Sequence, residues 1–297
     1  LNEGNGHPFS YSAIFNGYDP EALATRCPYT LIREYLPRDH RNQAGPMGAK
    51  VTHIWTQDPK LSLDVAAVAR IPTIVDRIGD MLGKVDAVIL ARDDPWNHLE
   101  HARPAFAAGL PIFIDKQLAA TPADFAEILR LAPEGYPLLA GSAARFTRDT
   151  IGAAATLADF RLRAIHGVSR VSWLRYGHHL LEPIVALRGT DVEWVRSLWD
   201  GPDHDAVQIA YRDGVTATLE FFPDLHLPIE SRFHFADRKP FALSFEDFFG
   251  GFRNMLAAYV EFLRTGRRPF PRAEMLAIAR IVLAGELSKK RGGDPVS

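Results

Sequence analysis

The sequence predicts an α/β protein: an N-terminal doubly wound parallel sheet domain, then a C-terminal α+β domain with a large open, mostly antiparallel sheet. Three observations carry this. Up to about residue 145, short apolar runs of strand length alternate with helical periodicities. The best-defined unit, Asp86 to Ala119, reads strand, loop, helix, loop, strand and closes on the polar pair Asp115-Lys116. Beyond it the period changes, and Arg212-Asp213-Gly214 separates two strand-like segments as a hairpin turn would.

Leu1-Asn2-Glu3 reads as the end of a first strand. Gly4-Asn5-Gly6-His7-Pro8 then reads as a tight turn before a helix carrying Tyr11, Ile14 and Phe15 and ending near Gly17. Glycines there permit positive φ, and the N–H groups of a helix start can receive a pyrophosphate. Phe9 stands where the third glycine of a dinucleotide-binding turn belongs, so a plain turn fits the same residues. Asp19 to Gly48 is irregular and proline-rich, with one helix near Leu31 to Leu36, and reads as an insertion. Val51 to Thr56 is the second strand. In NAD-binding units an acid at that strand's end holds the ribose hydroxyl, and here Thr56-Gln57-Asp58 comes next, so the acid is displaced to Asp58 or missing.

Leu63 to Ala69 forms a helix, and Ile71 to Val75 leads into the central unit. Ala87 to Ala91 and Leu110 to Ile114 are continuous apolar runs, as in parallel strands buried on both faces. Between them a helix starts at Pro95, carries Leu99, Ala102, Phe106 and Ala107, and stops at Gly109. Ligands of such sheets gather beyond the carboxyl ends of the strands, where Asp115 and Lys116 fall. A lysine there is, taken alone, also an ordinary solvated terminus. Thr121-Pro122-Ala123-Asp124 reads as a helix start, and Tyr136 to Ala140 as a further strand.

In the second half, Val168 to Leu174, Ala206 to Tyr211, Val215 to Phe222 and Arg232 to Phe235 are strand-like. Leu180 to Leu187 reads as a helix with Pro183 in its first turn, and Phe248 to Thr265 and Arg272 to Lys289 as two long helices. The expected domains are 1–120 and 121–297, with a C-terminal helix able to pack back on the first. Val207, Ile209 and Tyr211, with Val215, Ala217, Leu219 and Phe221, define an apolar sheet face, expected to stay uncovered and to build an oligomer. The alternative is a wet outer face formed by Gln208, Thr216, Thr218 and Glu220.

The 297 residues are 47% hydrophobic and 24% charged, an ordinary globular composition. With 34 Lys+Arg against 36 Asp+Glu, a formal charge of -2 and no basic stripe, nucleic acid is excluded as an expected partner. Cys27 alone can form neither an internal disulfide nor a thiolate zinc site. No apolar run approaches the ~18 residues of a membrane span, and no leader pattern is evident, so no membrane partner and a cytoplasmic location are expected. Asp93-Asp94-His98 and Asp203-His204-Asp205 offer oxygen and nitrogen atoms, but such acidic loops are commonly solvated turns and no metal is expected.

Taken in order, the Gly-rich turn, THIWTQDP, DAVILA, the acid-Lys pair in IFIDKQLA, His179-Leu180-Leu181-Glu182 running on to Gly189, and the closing hairpin with two helices resemble the Gfo/Idh/MocA family of NAD(P)-dependent oxidoreductases over most of the chain. The resemblance implies an N-terminal Rossmann domain binding NAD or NADP. It also implies a C-terminal domain whose sheet faces the nicotinamide and pairs in a homodimer or homotetramer. Cofactor contacts would then involve Gly4, Asn5, Gly6, His7, Thr56, Asp58, Ala91, Asp93, His98, Asp115 and Lys116. The implied reaction is hydride transfer at a hydroxyl-bearing carbon of a sugar, polyol or cyclitol, with Lys116 and His179 handling the proton.

Chemistry supports those roles. Removing hydride from an alcohol requires loss of the hydroxyl proton, and histidine titrates nearest neutrality. A cationic Lys116 would favour the developing alkoxide, and Glu182, a helical turn beyond His179, could orient its ring. Read without the resemblance, His178 and His179 fit a pair of half-buried structural histidines. The chain departs from the family pattern at Phe9, Thr56, Gln117 and Glu182, and a missing ribose acid favours NADP or weak binding. Two other readings share these residues: a relative using bound NAD transiently for elimination or glycoside cleavage, and a non-catalytic partner subunit or sugar-binding module.

Overall fold

The computed structural model describes residues 5–40, 47–157 and 161–297; the expectations on Leu1 to Glu3 and on Gly4 lie outside them. The chain divides into two compact units. The first runs to Asp115 and takes in Ala126–Leu139 and Phe252–Pro269, while the second holds Lys116–Phe125, Ala140–Gly251 and Phe270–Ser297. Among the described residues no helix is long and apolar enough to cross a membrane.

The N-terminal elements are α1 (His7–Asn16), α2 (Pro20–Arg26), α3 (Thr30–His40), β1 (His53–Ile54), α4 (Pro59–Ala69), β2 (Thr73–Ile74), β3 (Val88–Leu90), α5 (His98–Ala107), β4 (Ile112–Asp115), α6 (Pro122–Leu131) and β5 (Leu138–Gly141). β1 pairs with β2 and β3 with β4, both in parallel, and β5 lies beside β4. This is the parallel α/β sheet the sequence predicts, in two pieces. All four residues of β4 are buried, as expected for a strand covered on both faces. The helix boundaries follow local chemistry. Gly17, at φ 75°, ends α1, and the Asp58 carboxylate caps α4 by accepting from Lys60 N at 2.9 Å. Thr121 Oγ1 accepts from Asp124 N at 3.0 Å ahead of α6. Pro95 opens a 3₁₀ turn, and the α-helix proper starts at His98.

The second half adds α7 (Arg148–Leu157), β6 (Leu162–Ser169), α8 (Trp173–Arg188), β7 (Val192–Asp200), β8 (Asp205–Tyr211), β9 (Thr216–Phe221), β10 (Glu230–Phe235), β11 (Phe241–Ser244), α9 (Phe248–Thr265) and α10 (Arg272–Lys290). Six strands form one sheet in the order β11-β10-β6-β9-β8-β7. The β6–β9 pair is parallel and the other four pairs antiparallel. The hairpin at Arg212-Asp213-Gly214 forms as predicted, with Gly214 at φ 87°.

Three local expectations are corrected. The strand expected over Val168 to Leu174 ends at Ser169, because Val171 adopts φ 70° and Ser172 turns the chain into α8. That helix starts at Trp173, so Pro183 sits inside it and the carbonyl of His179 loses its helical donor. The apolar hairpin face is not left open: Val207, Ile209, Ala217, Leu219 and Phe221 are all 0% exposed, with α8 and α10 packed on the sheet. Trp173, itself fully buried, wedges against Phe221 at 5.7 Å between centroids and donates from Nε1 to Val282 O at 2.9 Å. Gly177 and Gly285 leave room for its ring, which a Cβ at either position would strike.

Candidate functional site

In the first unit, the turn before α1 is held by one side chain. Asn5 Nδ2 donates to Ala91 O beyond β3 at 2.6 Å, and Asn5 Oδ1 accepts from His7 N at 2.9 Å. Gly6 is required by packing, since a Cβ there would strike Ile32 and Tyr29. The His7 ring pairs with Asp115, whose other oxygen accepts from Tyr11 Oη at 3.0 Å. Burial, reinforced by that carboxylate, pushes the Tyr11 hydroxyl well above its usual range.

Asn5, Pro8, Thr56, Gln57, Ala91 and Arg92 share one cavity at the carboxyl ends of β1 and β3. Gly6, His7, Asp58, Asp93, His98 and Asp115 are not among its lining residues. The Asp58 carboxylate serves as a helix cap. Thr56 donates to Asp58 O at 2.6 Å, Arg92 Nη1 donates to Gln57 Oε1 at 2.9 Å, and the same guanidinium pairs with Asp94. His98 Nε2 lies 3.2 Å from Arg92 O. Pyrophosphate and ribose would meet Asn5, Pro8, Thr56, Gln57 and Arg92. The helix start, hydroxyl, amide and cation there fit a dinucleotide whose ribose edge meets no carboxylate.

In the second unit, Lys116 is 4% exposed and His179 6%. Lys116 Nζ stands 5.8 Å from the Tyr176 ring centroid, and that ring meets the His179 ring edge-on at 4.8 Å. Lysine and histidine thus share one aromatic neighbour. Gln117, in the left-handed region at φ 59°, points its amide oxygen 3.0 Å from His178 Nδ1 and donates from Nε2 to Ala119 O at 2.8 Å.

Glu182 does not act on His179 directly. Its carboxylate accepts from Arg145 Nε at 2.6 Å and from Ser142 N at 3.0 Å. The Ser142 hydroxyl lies 2.6 Å from His179 Nδ1, so the acid reaches the ring through Ser142. Arg145 also donates to Glu274 at 2.6 Å and stacks 4.3 Å over Phe270. Although burial opposes it, the two carboxylates hold the guanidinium above its ordinary pKa. Sequence reasoning missed Ser142, Arg145 and Tyr176. Only Tyr176 carried a signal, lying one turn before His179 on the same helix.

Among the described residues no group of three or more His, Cys, Asp or Glu is arranged to hold a metal. Asp205 instead receives Trp173 N at 2.8 Å and Lys289 Nζ at 2.5 Å.

The first unit thus pairs a parallel α/β sheet with a cavity along β1 and β3, and the second unit carries the lysine–histidine cluster. Residues 33–137 match the model of an oxidoreductase family with an NAD-binding Rossmann fold, Gfo/Idh/MocA. No curated protein matches. Solved structures share the fold at low identity. Myo-inositol 2-dehydrogenase from Lactobacillus plantarum is 16% identical at a TM-score of 0.72, over 84% of this chain and 92% of its own. Scyllo-inositol dehydrogenase from Lactobacillus casei is 14% identical at 0.71, over 90% and 95%. A 3-ketoreductase from Actinomadura kijaniata, solved with TDP-benzene and NADP, is 18% identical at 0.67, over 80% and 89%.

Proposed function

We propose that the protein is a dehydrogenase or reductase acting at a hydroxyl-bearing carbon of a sugar, polyol or cyclitol, with Lys116 and His179 as its proton-handling pair. The observation carrying this reading is the cluster in which Lys116, following Asp115 at the end of β4, and His179 contact the same Tyr176 ring. Bound NAD or NADP supplies the hydride acceptor or donor. In the oxidative direction His179 takes the hydroxyl proton at Nε2, its Nδ1 being engaged by Ser142, while the Lys116 ammonium stabilises the oxygen as negative charge develops. In reduction the same nitrogen returns the proton. Glu182 and Arg145 position Ser142 and touch no substrate. Two of the structural neighbours are inositol dehydrogenases, which supports the substrate class.

The test is turnover of an inositol and aldose panel with NAD and NADP, repeated with Lys116→Ala and His179→Ala. Activity lost in both variants, with cofactor binding kept, is the expected result; unaltered turnover in either removes that residue from the mechanism. We further propose a homodimer or homotetramer paired through the outer face of the six-stranded sheet, where Leu198 and Trp199 are exposed beside Gln208, Thr218 and Glu220.

A further inference from the structure

The six-stranded sheet has two unlike faces. Ile165, Gly167 and Phe233 are buried, and α8 packs on β6 and β10 from their side. Their neighbours in the chain alternate to the other face. His166 on β6 and His234 on β10 are carried there by adjacent antiparallel strands, with His166 registered opposite Arg232 and His234 opposite Ala164. The two imidazoles therefore meet diagonally. His166 is exposed and His234 half-buried, and the rings stand edge to face at 5.0 Å between centroids. His166 Nδ1 lies 3.2 Å from His234 Nε2.

That spacing is the one two imidazoles adopt on a single cation. With metal–nitrogen bonds of ~2.05 Å, two ligands stand ~2.9 Å apart at a right angle and ~3.3 Å apart at the tetrahedral angle. The backbone ladder brings the two rings together before any ligand arrives, so little ordering opposes chelation. Arg232, the cation opposite His166, is drawn to Glu230 at 3.3 Å. The ring that donates the proton between the two nitrogens can pass through solvent to its other neutral tautomer, which leaves a lone pair on each. The pair belongs neither to the cavity along β1 and β3 nor to the Lys116–His179 cluster. The exposed Leu198 and Trp199 lie on β7, three strands from β6 and about 14 Å away at ~4.8 Å per strand.

We propose that His166 and His234 form a surface chelate for a divalent transition cation of the Cu²⁺, Ni²⁺ or Zn²⁺ type, with water completing its coordination. Imidazole suits these ions, whereas Mg²⁺ and Ca²⁺ take oxygen ligands. Among the described residues no third His, Cys, Asp or Glu joins the pair, so affinity follows the intrinsic order, Cu²⁺ above Ni²⁺ and Zn²⁺. An ion held there ties β10 to β6.

The test is calorimetric titration of the untagged full chain at neutral pH with the chlorides of Cu²⁺, Ni²⁺, Zn²⁺ and Mg²⁺. It is run on the wild type, His166→Gln, His234→Gln, the double variant and a control at an exposed histidine elsewhere, His226→Gln. The tightest event should be one Cu²⁺ per chain, weakened about 100-fold by either single replacement, because the second donor of a tethered pair acts at high effective concentration. The double variant should lose no more than either single one, since the chelate needs both rings, and His226→Gln should bind as the wild type does. Unchanged affinity in either single variant overturns the proposal. So do losses that add in the double variant, which would mean separate imidazoles holding an adventitious ion only, and so does displacement of Cu²⁺ by Mg²⁺. None of these readouts depends on catalysis.

Discussion

Glu182→Gln tests the buried network beneath His179. In the native chain Glu182 is 1% exposed and Arg145 9%, joined at 2.6 Å, with Glu274 a second partner of Arg145 at 25% exposure. The amide preserves volume and can still accept from Ser142 N. It removes the charge opposite Arg145 and can turn an N–H group toward Nε–H. Removing one partner of a buried pair costs about 3–5 kcal/mol, because the remaining charge stays buried and uncompensated. Glu274 offsets part of this, so about 3 kcal/mol is expected, or a fall in thermal midpoint of roughly 6–12 °C at ~2–4 °C per kcal/mol. Glu274→Gln removes the more exposed partner and should cost about 1 kcal/mol or less. The double variant Arg145→Met/Glu182→Leu should recover most of the loss, since apolar side chains of similar volume can replace a buried pair. Circular dichroism melts decide the matter. A Glu182→Gln midpoint within about 2 °C of wild type, or one equal to that of Glu274→Gln, would refute the account.

Lys116→Ala should lower turnover roughly 100-fold or more while leaving the melt unchanged, the scale of losing an oxyanion or proton partner; steady-state kinetics on an identified substrate checks it. NADP should bind at least as tightly as NAD, because the Asp58 carboxylate is committed to capping α4 and leaves no acid against a 2′-phosphate; strong NAD selectivity in calorimetric titrations would contradict this. Burial of Asp94 opposes its ionisation, yet hydrogen bonds from Arg92 and Asn97 hold its carboxyl below the ordinary 3.8. The pairing therefore contributes stability above pH ~3.8 that is lost as pH falls through the lowered value, so Arg92→Ala should destabilise at neutral pH and progressively less below 3.8, as acid titration of the melt will show. Light scattering at micromolar concentration should give a multiple of 33.0 kDa, reduced to one chain by Trp199→Glu; a wild-type monomer would rule out the assembly.

The fold was legible wherever a residue's environment was set by its immediate neighbours. β4 read as buried on both faces because Ile112, Phe113 and Ile114 leave no polar alternate, and Thr121, Gly17 and Gly214 marked their turns through backbone chemistry that needs no tertiary partner. The reading failed at Val171. Val-Ser-Arg-Val-Ser-Trp-Leu has the β-branched and aromatic residues of a strand and no Gly or Pro, and nothing local announces that a β-branched residue will take φ 70°. Tertiary packing two residues on holds that conformation: Trp173 is buried between the sheet and α10, and Asp205 receives its backbone N–H. The apolar hairpin face misled for a related reason. Its residues do share one face, but α8, which helps to cover it, starts at Trp173, seven residues before the Leu180 that the apolar spacing marks.

Lys116 and His179 could be singled out because each is a titratable group at an element end or helix face where ligands gather. The residues packed beneath His179 could not. Ser142 follows β5 by one residue and Arg145 lies in a short 3₁₀ turn, positions where serine and arginine are unremarkable in sequence. Their place is set when α8 brings Glu182 to Arg145 and His179 to Ser142. Glycine at 141 is part of the same arrangement, since a Cβ there would press on Glu182 Oε1. The Glu182 departure from the family's aspartate has a physical reading in this setting. The added methylene lengthens the reach of a carboxylate that must span from α8 to both the Ser142 amide and the Arg145 guanidinium. The acid one turn beyond the histidine is therefore spent on the loop that holds His179 Nδ1 rather than on the ring itself.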